Sequence, residues 1–506
     1  MKKTIALILV LCTVIVLFSG CGKSAEDVIK DYSNGIIDLK YATENLTGTF
    51  NQTKDGVVLD STQRTPSVTV SGFEADIVNK GILKITLKNT SDSKNLKVEF
   101  ITKLDNKFGA NKEKTIELKS GDKFEEYTVD MSDTYGYLYN LTGIRLTSDS
   151  ISSGSIVVKK IEVCEGGEGY PEKLSFGAPE VYMDFRARAA KGIGYSPDGE
   201  LGFWKDENGN LKVMSSLMGK LVLSTGTYDD PFKKVEYYRG EIEGVNTDLY
   251  SYASLAQIIK VPDSNILLGM THLENHVGSS GSGVLGISKS VDGGQTWTFI
   301  GEIISHNLGL DVQSGYWRDI GNGITYMDDE YLYVYAIDWA TGKNGLSISR
   351  APLTELYAAV KEDKVPLFYK KFNGKWEEPG LGGNFDSVLP QKLGANFCQV
   401  VYNTAIKKYM MFTTAGFSSA NNSDIALLIS DSFDDFTKSE PFAIVPDMYG
   451  QQYPTVIGVE GSQTQVGEEF YLYYCHITQG YQGSIDWQLF WGSCEYRRIK
   501  ITCNTK

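Results

Sequence analysis

Apolar and polar positions alternate with a period of two along much of the chain from about Gly56 onward. Leu83, Ile85 and Leu87 alternate with Lys84, Thr86 and Lys88, and Leu96, Val98 and Phe100 alternate with Lys97 and Glu99. That period lines up one set of side chains on one face of a pleated strand. Further strand-like runs occupy 114–119, 125–130, 141–147 and 155–163. About seven short strands with turn-rich gaps predict a β-sandwich over 58–166, one face of each sheet solvated. Residues 21–57 are mostly polar, with a short helical stretch near 25–30, and are read as a spacer.

From Pro171 to Lys506 the pattern repeats at long period, which decides the architecture before any motif does. Aromatic-rich apolar strands lie at 266–272, 331–338, 409–415 and 470–476. Each is followed by a second strand ending in a small polar residue: 286–290, 346–350, 427–431 and 490–493. From Leu267 to Tyr331, Tyr409 and Phe470 the successive spacings are 64, 78 and 61 residues. A weaker unit precedes them, with strands near 211–216 and 220–225. Five such repeats predict a five-bladed β-propeller over 171–506, so the expected class is all-β. Ser290-Val-Asp-Gly-Gly-Gln-Thr-Trp297 predicts a tight hairpin in which Asp292 and the glycines turn the chain and Trp297 packs back on the sheet. Degenerate copies stand at 224–232 and 430–436. This motif marks a fold, and no catalytic role is assigned to Asp292.

The amino terminus carries an address. Met1-Lys2-Lys3 precedes an apolar run from Ile5 to Phe18, too short for a usual bilayer span and shaped like a secretory signal. It ends Leu17-Phe18-Ser19-Gly20-Cys21, which resembles the bacterial lipobox with Phe18 where Leu is usual. The resemblance implies cleavage after residue 20, lipidation of Cys21, and an extracytoplasmic protein held to the bacterial membrane by two acyl chains. Five further cysteines, Cys164, Cys398, Cys475, Cys494 and Cys503, show no zinc-type spacing. Cys494 and Cys503 are near enough to be weighed as a pair, against buried free thiols. With 49 basic against 63 acidic residues the formal net charge is −14, which argues against nucleic acid as a partner.

In a propeller the start of each inner strand and the end of the second strand open on one face. Asp319, in Trp317-Arg318-Asp319-Ile320-Gly321, holds such a start in the third unit, and Asp198, in Ser196-Pro197-Asp198-Gly199, in the first. At second-strand ends lie Glu274 within His272-Leu273-Glu274-Asn275-His276, Asp338 beside Trp339, and His476. Two carboxylates can act as acid and base on a glycosidic bond, and a third charge tunes them. Trp317 and Trp339 offer flat apolar surfaces for sugar rings, and Arg318 can grip hydroxyls or a carboxylate.

The propeller resembles the five-bladed glycoside hydrolases of the family 43 type. Arg318-Asp319 is similar to their inner-strand Arg-Asp motif, and Asp198-Gly199 ahead of 201–206 to their first-blade aspartate. Residues 376–379 with Gly382-Gly383, then 399–403 and 408–411, look like fourth-blade sequence of that group, including endo-D-arabinanase-like proteins. The chain departs from the pattern at Ser254-Leu-Ala-Gln257, where an acidic residue is usual, and at the family's acid glutamate, for which Glu274 is taken as the substitute. The resemblance implies a glycosidase with Asp198 as general base, Glu274 as general acid and Asp319 as orienting group. Arg318, Trp317, Trp339, Asp338, His272, His276 and His476 would bind a poly- or oligosaccharide. Residues 141–147 and 154–163 resemble the closing strands of jelly-roll carbohydrate-binding modules. No cofactor and no catalytic metal is expected, and a structural calcium is the one ion considered. Two alternatives stay open: a non-catalytic glycan-binding lipoprotein, and a uronate-directed polysaccharide lyase using His276, Tyr316 and Arg318.

Overall fold

The computed structural model describes residues 35–40, 42, 46–171, 173–277, 280–308, 317–318, 320–338, 345–391, 393–415, 424–446, 450–459, 461–478 and 486–503. The signal segment, Cys21, the stretch at 25–30, Tyr316, Asp319 and Trp339 lie outside them, as do the side chains of Trp317 and Arg318. The described fold is almost entirely strand, and the chain divides into two compact units, Met1–Tyr170 and Pro171–Lys506.

The first unit holds two antiparallel sheets. One runs Asn51–Thr53, Gly56–Asp60, Ser155–Cys164, Ile82–Asn89, Glu125–Asp130, with Ile36–Asp38 also on Ser155–Cys164. The other runs Leu46–Thr49, Ser67–Asp76, Asn140–Ser148, Asn95–Thr102, Glu113–Glu117. Period-two alternation buries Leu83, Ile85 and Leu87 from one sheet and Leu96, Val98 and Phe100 from the other, all in one core. The fold starts earlier than the expected boundary at residue 58. Ile37 and Leu39 are fully buried in that same core, so part of the presumed spacer is structural. Three apolar residues among polar neighbours were too short a run to signal a strand.

Among the described residues the second unit holds five sheets, each built on an antiparallel run of strands in chain order, with short parallel strands added to the second and fourth. Their innermost strands are Gly202–Lys205, Tyr252–Lys260, Ile320–Met327, Ala395–Asn403 and Gln451–Gly458. Each packs against the inner strand of the next sheet. The last returns to the first through Leu201 N–H donating to Thr455 Oγ1 at 3.0 Å and Phe203 N–H to Gln463 Oε1 at 3.2 Å. The fifth sheet is completed from both ends of the unit: Leu174–Phe176 and Glu180–Met183 pair with Glu495–Cys503. The inner strands of the second to fifth sheets each carry a register shift against their neighbour. Such bulges re-aim side chains at the edge of a sheet.

One expected strand is a helix. Trp487–Ser493 is α-helical, with Asp486 accepting from Gln488 N–H at 3.0 Å and Leu489 N–H at 3.1 Å. That side-chain cap favours a helical start over β-propensity in Phe490-Trp491. Glu495–Cys503 takes the expected strand's place. The 290–297 turn forms as its residues dictate: Asp292 accepts from Ser290 Oγ, Gln295 N–H, Thr296 N–H and Thr296 Oγ1 at 2.7–3.1 Å. Gly293 and Gly294 have φ of +74° and +89°, and Trp297 is buried with its indole donating to Gly294 O at 3.1 Å.

Candidate functional site

The two ends of the inner-strand ring differ. At one end glutamines stitch it shut. Gln463 Oε1 accepts from Phe203 and Ile258 N–H while its amide donates to Ile258 O. Gln399 exchanges bonds with Val456 and also donates to Gln463 O, and Gln257 Oε1 accepts from Thr325 N–H and Oγ1 at 2.7 and 2.8 Å. The opposite end carries Asp198 and Glu200, just before the first inner strand, together with Tyr252 and Tyr453.

Strand Leu267–Val277 runs antiparallel to Tyr252–Lys260 with Glu274 opposite Tyr252, so its far end returns to this same face. The strand extends through Val277 rather than stopping at His272. Period two therefore puts His272, Glu274 and His276 on one side.

Asp198 is the centre of the arrangement. Tyr252 Oη donates to its Oδ2 and Tyr453 Oη to its Oδ1, each at 3.0 Å, and its backbone N–H donates to Ser216 O at 2.8 Å. Burial, then the negative charge of Glu274, pushes the Asp198 carboxyl up to about 6, against the pull of the two hydroxyls and His272. Glu274 Oε2 contacts His276 Nε2, and its Oε1 lies 3.6 Å from His272 Nε2. The His276 ring stacks on Tyr252 at 6.4 Å with 12° between planes, and His276 N–H donates to Ser251 Oγ at 3.0 Å. Tyr453 sits at φ +56°, a costly conformation for a bulky residue, within the fifth inner strand's bulge. Phe397 at 4.2 Å and Trp491 at 5.7 Å clasp its ring, which aims the hydroxyl at Asp198.

Four of the expected residues thus gather: Asp198, Glu274, His272 and His276. Trp317–Arg318 runs parallel to the strand paired with theirs, Gly281 beside Trp317 and Gly281 also opposite His276. This brings their backbone to the same end of the second sheet. Two further expected sugar-binding residues are buried. Asp338 is buried in the third sheet opposite Ile320 and Gly345, where its charge acts on buried Lys370. Lys370 Nζ donates to Ser305 O at 2.6 Å and Gly383 O at 2.8 Å, and burial pulls its ammonium down to about 8. His476 is also buried, opposite Gln451 and Glu495, and burial with the charge of Arg497 pulls its imidazole down to about 3.

Residue reasoning missed Tyr252, Tyr453 and Glu200. Glu200 is 2% exposed, and burial pushes its carboxyl well above the ordinary range. Buried His306 was also passed over: its Nδ1 accepts from Leu308 N–H at 3.1 Å, which leaves Nε2–H to donate to Ser282 Oγ at 3.2 Å. Among the described residues, no group of three or more His, Cys, Asp or Glu side chains is arranged to hold a metal ion. Cys494 and Cys503 are both buried and unbridged.

No protein-family model matches the chain, and no curated protein matches it. Among solved structures it is similar to the catalytic domain of a Coprinopsis cinerea GH62 α-L-arabinofuranosidase, at 12% identity and TM-score 0.38, over 66% of this chain and 98% of that one. A Fusarium graminearum α-L-arabinofuranosidase gives 9% identity and TM-score 0.37, over 62% and 97%. A Bacillus licheniformis GH43 endo-arabinanase gives 12% and 0.36, over 60% and 93%.

Proposed function

We propose that the second unit is a five-bladed β-propeller glycoside hydrolase acting on a poly- or oligosaccharide. One observation carries this reading. The charge of Glu274 acts on Asp198, which Tyr252 opposite Glu274 hydrogen-bonds, at the unstitched end of the ring, among aromatic side chains. The first unit is, in this reading, a β-sandwich module, and the whole is a lipoprotein carried outside the cytoplasm on Cys21.

Asp198 is the general base. With its carboxyl near 6 it is mostly ionised at pH 7, yet basic enough to draw a proton from water. Glu274 is the general acid: it takes up a proton through its contact with His276, passes it to the leaving oxygen, and is the anion that acts on Asp198 between turnovers. Arg318, whose backbone lies in the adjoining strand, and Asp319, next to it in the sequence, orient the sugar. The aromatic surroundings supply apolar faces that suit a pyranose or furanose ring.

Reducing-end detection on a panel of polysaccharides tests the reading. Cleavage should appear, and fall by about 10²–10⁴-fold in Asp198→Asn and in Glu274→Gln. Sugar binding without cleavage would replace it with a glycan-capturing lipoprotein, and an unsaturated uronate product with a lyase. Full activity in Asp198→Asn would remove the site assignment.

A further inference from the structure

Glu200 stands two residues from Asp198 in the loop that opens the first inner strand. The loop is pinned on both sides of it: Asp198 N–H donates to Ser216 O at 2.8 Å, and Leu201 N–H to Thr455 Oγ1 at 3.0 Å. Glu200 is 2% exposed, and its Oε1 is buried with no hydrogen-bond partner. Among the described residues it forms no ion pair. A carboxylate in that position would be an uncompensated buried charge, whose desolvation costs several kcal/mol. An undissociated carboxyl leaves a neutral polar atom without a partner, at roughly 1–3 kcal/mol. The difference favours the proton.

The groups that face it come from three elements. Asp198 on its own loop disfavours a second negative charge, His272 on Leu267–Val277 favours one, and Tyr453 on Gln451–Gly458 is itself driven far above its ordinary range by burial and by these carboxyls. Burial outweighs the opposing pull of its own backbone N–H and of the His272 imidazole.

We propose that Glu200 is a third carboxyl group of the site, held as the undissociated acid, and that it is a positioning residue: by staying neutral it leaves the negative charge of the pocket floor to Asp198. Its catalytic consequence rests on the glycosidase reading above, whereas its protonation does not, and the two are tested apart.

Denaturant unfolding of the secreted protein and of Glu200→Gln, measured from pH 5 to pH 8, decides the protonation. A proton kept on folding but lost on unfolding makes the wild-type unfolding constant rise tenfold per pH unit relative to Glu200→Gln, which has no proton to lose. The expected result is that slope, beginning near the ordinary glutamate range. A ratio independent of pH would mean that Glu200 is ionised in the folded protein, and would overturn the proposal. Should Glu200→Gln fail to fold, the wild-type protein with 13C-labelled glutamate side chains is titrated by infrared spectroscopy. The carbonyl stretch of an undissociated glutamic acid at pH 7 supports the proposal, and carboxylate bands alone overturn it. For the positioning role, Glu200→Gln should leave the acid limb of the pH–rate profile where Asp198 sets it, whereas Glu200→Ala, which opens the pocket floor to water, should move that limb down by about one unit. A limb that moves down in Glu200→Gln, or stays put in Glu200→Ala, would refute that role, and a wild type that cleaves no glycan would refute the glycosidase reading while leaving the unfolding result standing.

Discussion

Asp198 shows at residue scale how a site and its stability oppose each other. Its folded carboxyl, near 6, lies above the ordinary aspartate value of 3.8, so the folded state binds the proton more tightly than the unfolded state. The sign follows: the folded protein is favoured below about pH 4, and that advantage disappears as pH rises to 6. Asp198→Asn should therefore stabilise the protein by about 3 kcal/mol at pH 8 and by little at pH 4, while removing activity. Urea unfolding at the two pH values checks it, and equal effects at both would contradict the raised carboxyl. Tyr453→Phe removes one of the two donors that favour the Asp198 carboxylate. The acid limb of the pH–rate profile should move up by about one unit, since losing a hydrogen bond to the charged form disfavours that form. The meeting of Asp198 and Glu274 on one face was legible in the sequence because carboxylates at the ends of strands are a small set to search. Tyr252, Tyr453 and Glu200 were not. The tyrosines reach Asp198 from strands 54 and 255 residues away, and Glu200 beside Pro197-Asp198-Gly199 reads as turn until its burial is seen.

Elements were easier to read than contacts, with exceptions that share one cause. Strict alternation at 82–89 and 95–102 announced strands that the structure contains, because there one face is buried and the other solvated. The helix at Trp487–Ser493 escaped because aromatic residues favour strands, while its start is decided by the single cap of Asp486. The 290–297 hairpin was read correctly in its mechanics because every group it needs is local. Asp292→Ala deletes four hydrogen bonds and leaves Gln295 and Thr296 N–H without their acceptor. It should cost about 1–3 kcal/mol in chemical unfolding. Glycan cleavage should stay at the wild-type level wherever the variant is folded, since the turn serves the sheet and not the chemistry. A large loss of activity in folded Asp292→Ala would move this turn into the site.

At the scale of the second unit, closure depends on a small piece of chain far from the strand it completes. Leu174–Phe176 and Glu180–Met183 pair with Glu495–Cys503, placing Leu174 opposite Cys503 and Met183 opposite Tyr496. Leu174, Phe176 and Met183 are all buried, and Arg498 Nε donates to Glu180 Oε1 at 2.5 Å. Without these strands, Glu495–Cys503 becomes an open edge with unpaired backbone groups and an uncovered apolar face. Each buried apolar side chain contributes about 1.5–3 kcal/mol, so three of them approach the whole stability of an ordinary domain, about 5–15 kcal/mol. A fragment spanning 171–506 should unfold in one cooperative transition. A fragment spanning 184–506 should lack that transition or aggregate, as followed by circular dichroism and size-exclusion chromatography. The shorter fragment also loses the site by a direct route. The fifth sheet, left open by the truncation, carries Tyr453, whose hydroxyl donates to Asp198. A soluble 184–506 fragment with unchanged melting and unchanged cleavage would mean that the ring is closed by its side-chain stitches alone, with Gln463 and Thr455 sufficient to hold the first sheet to the last.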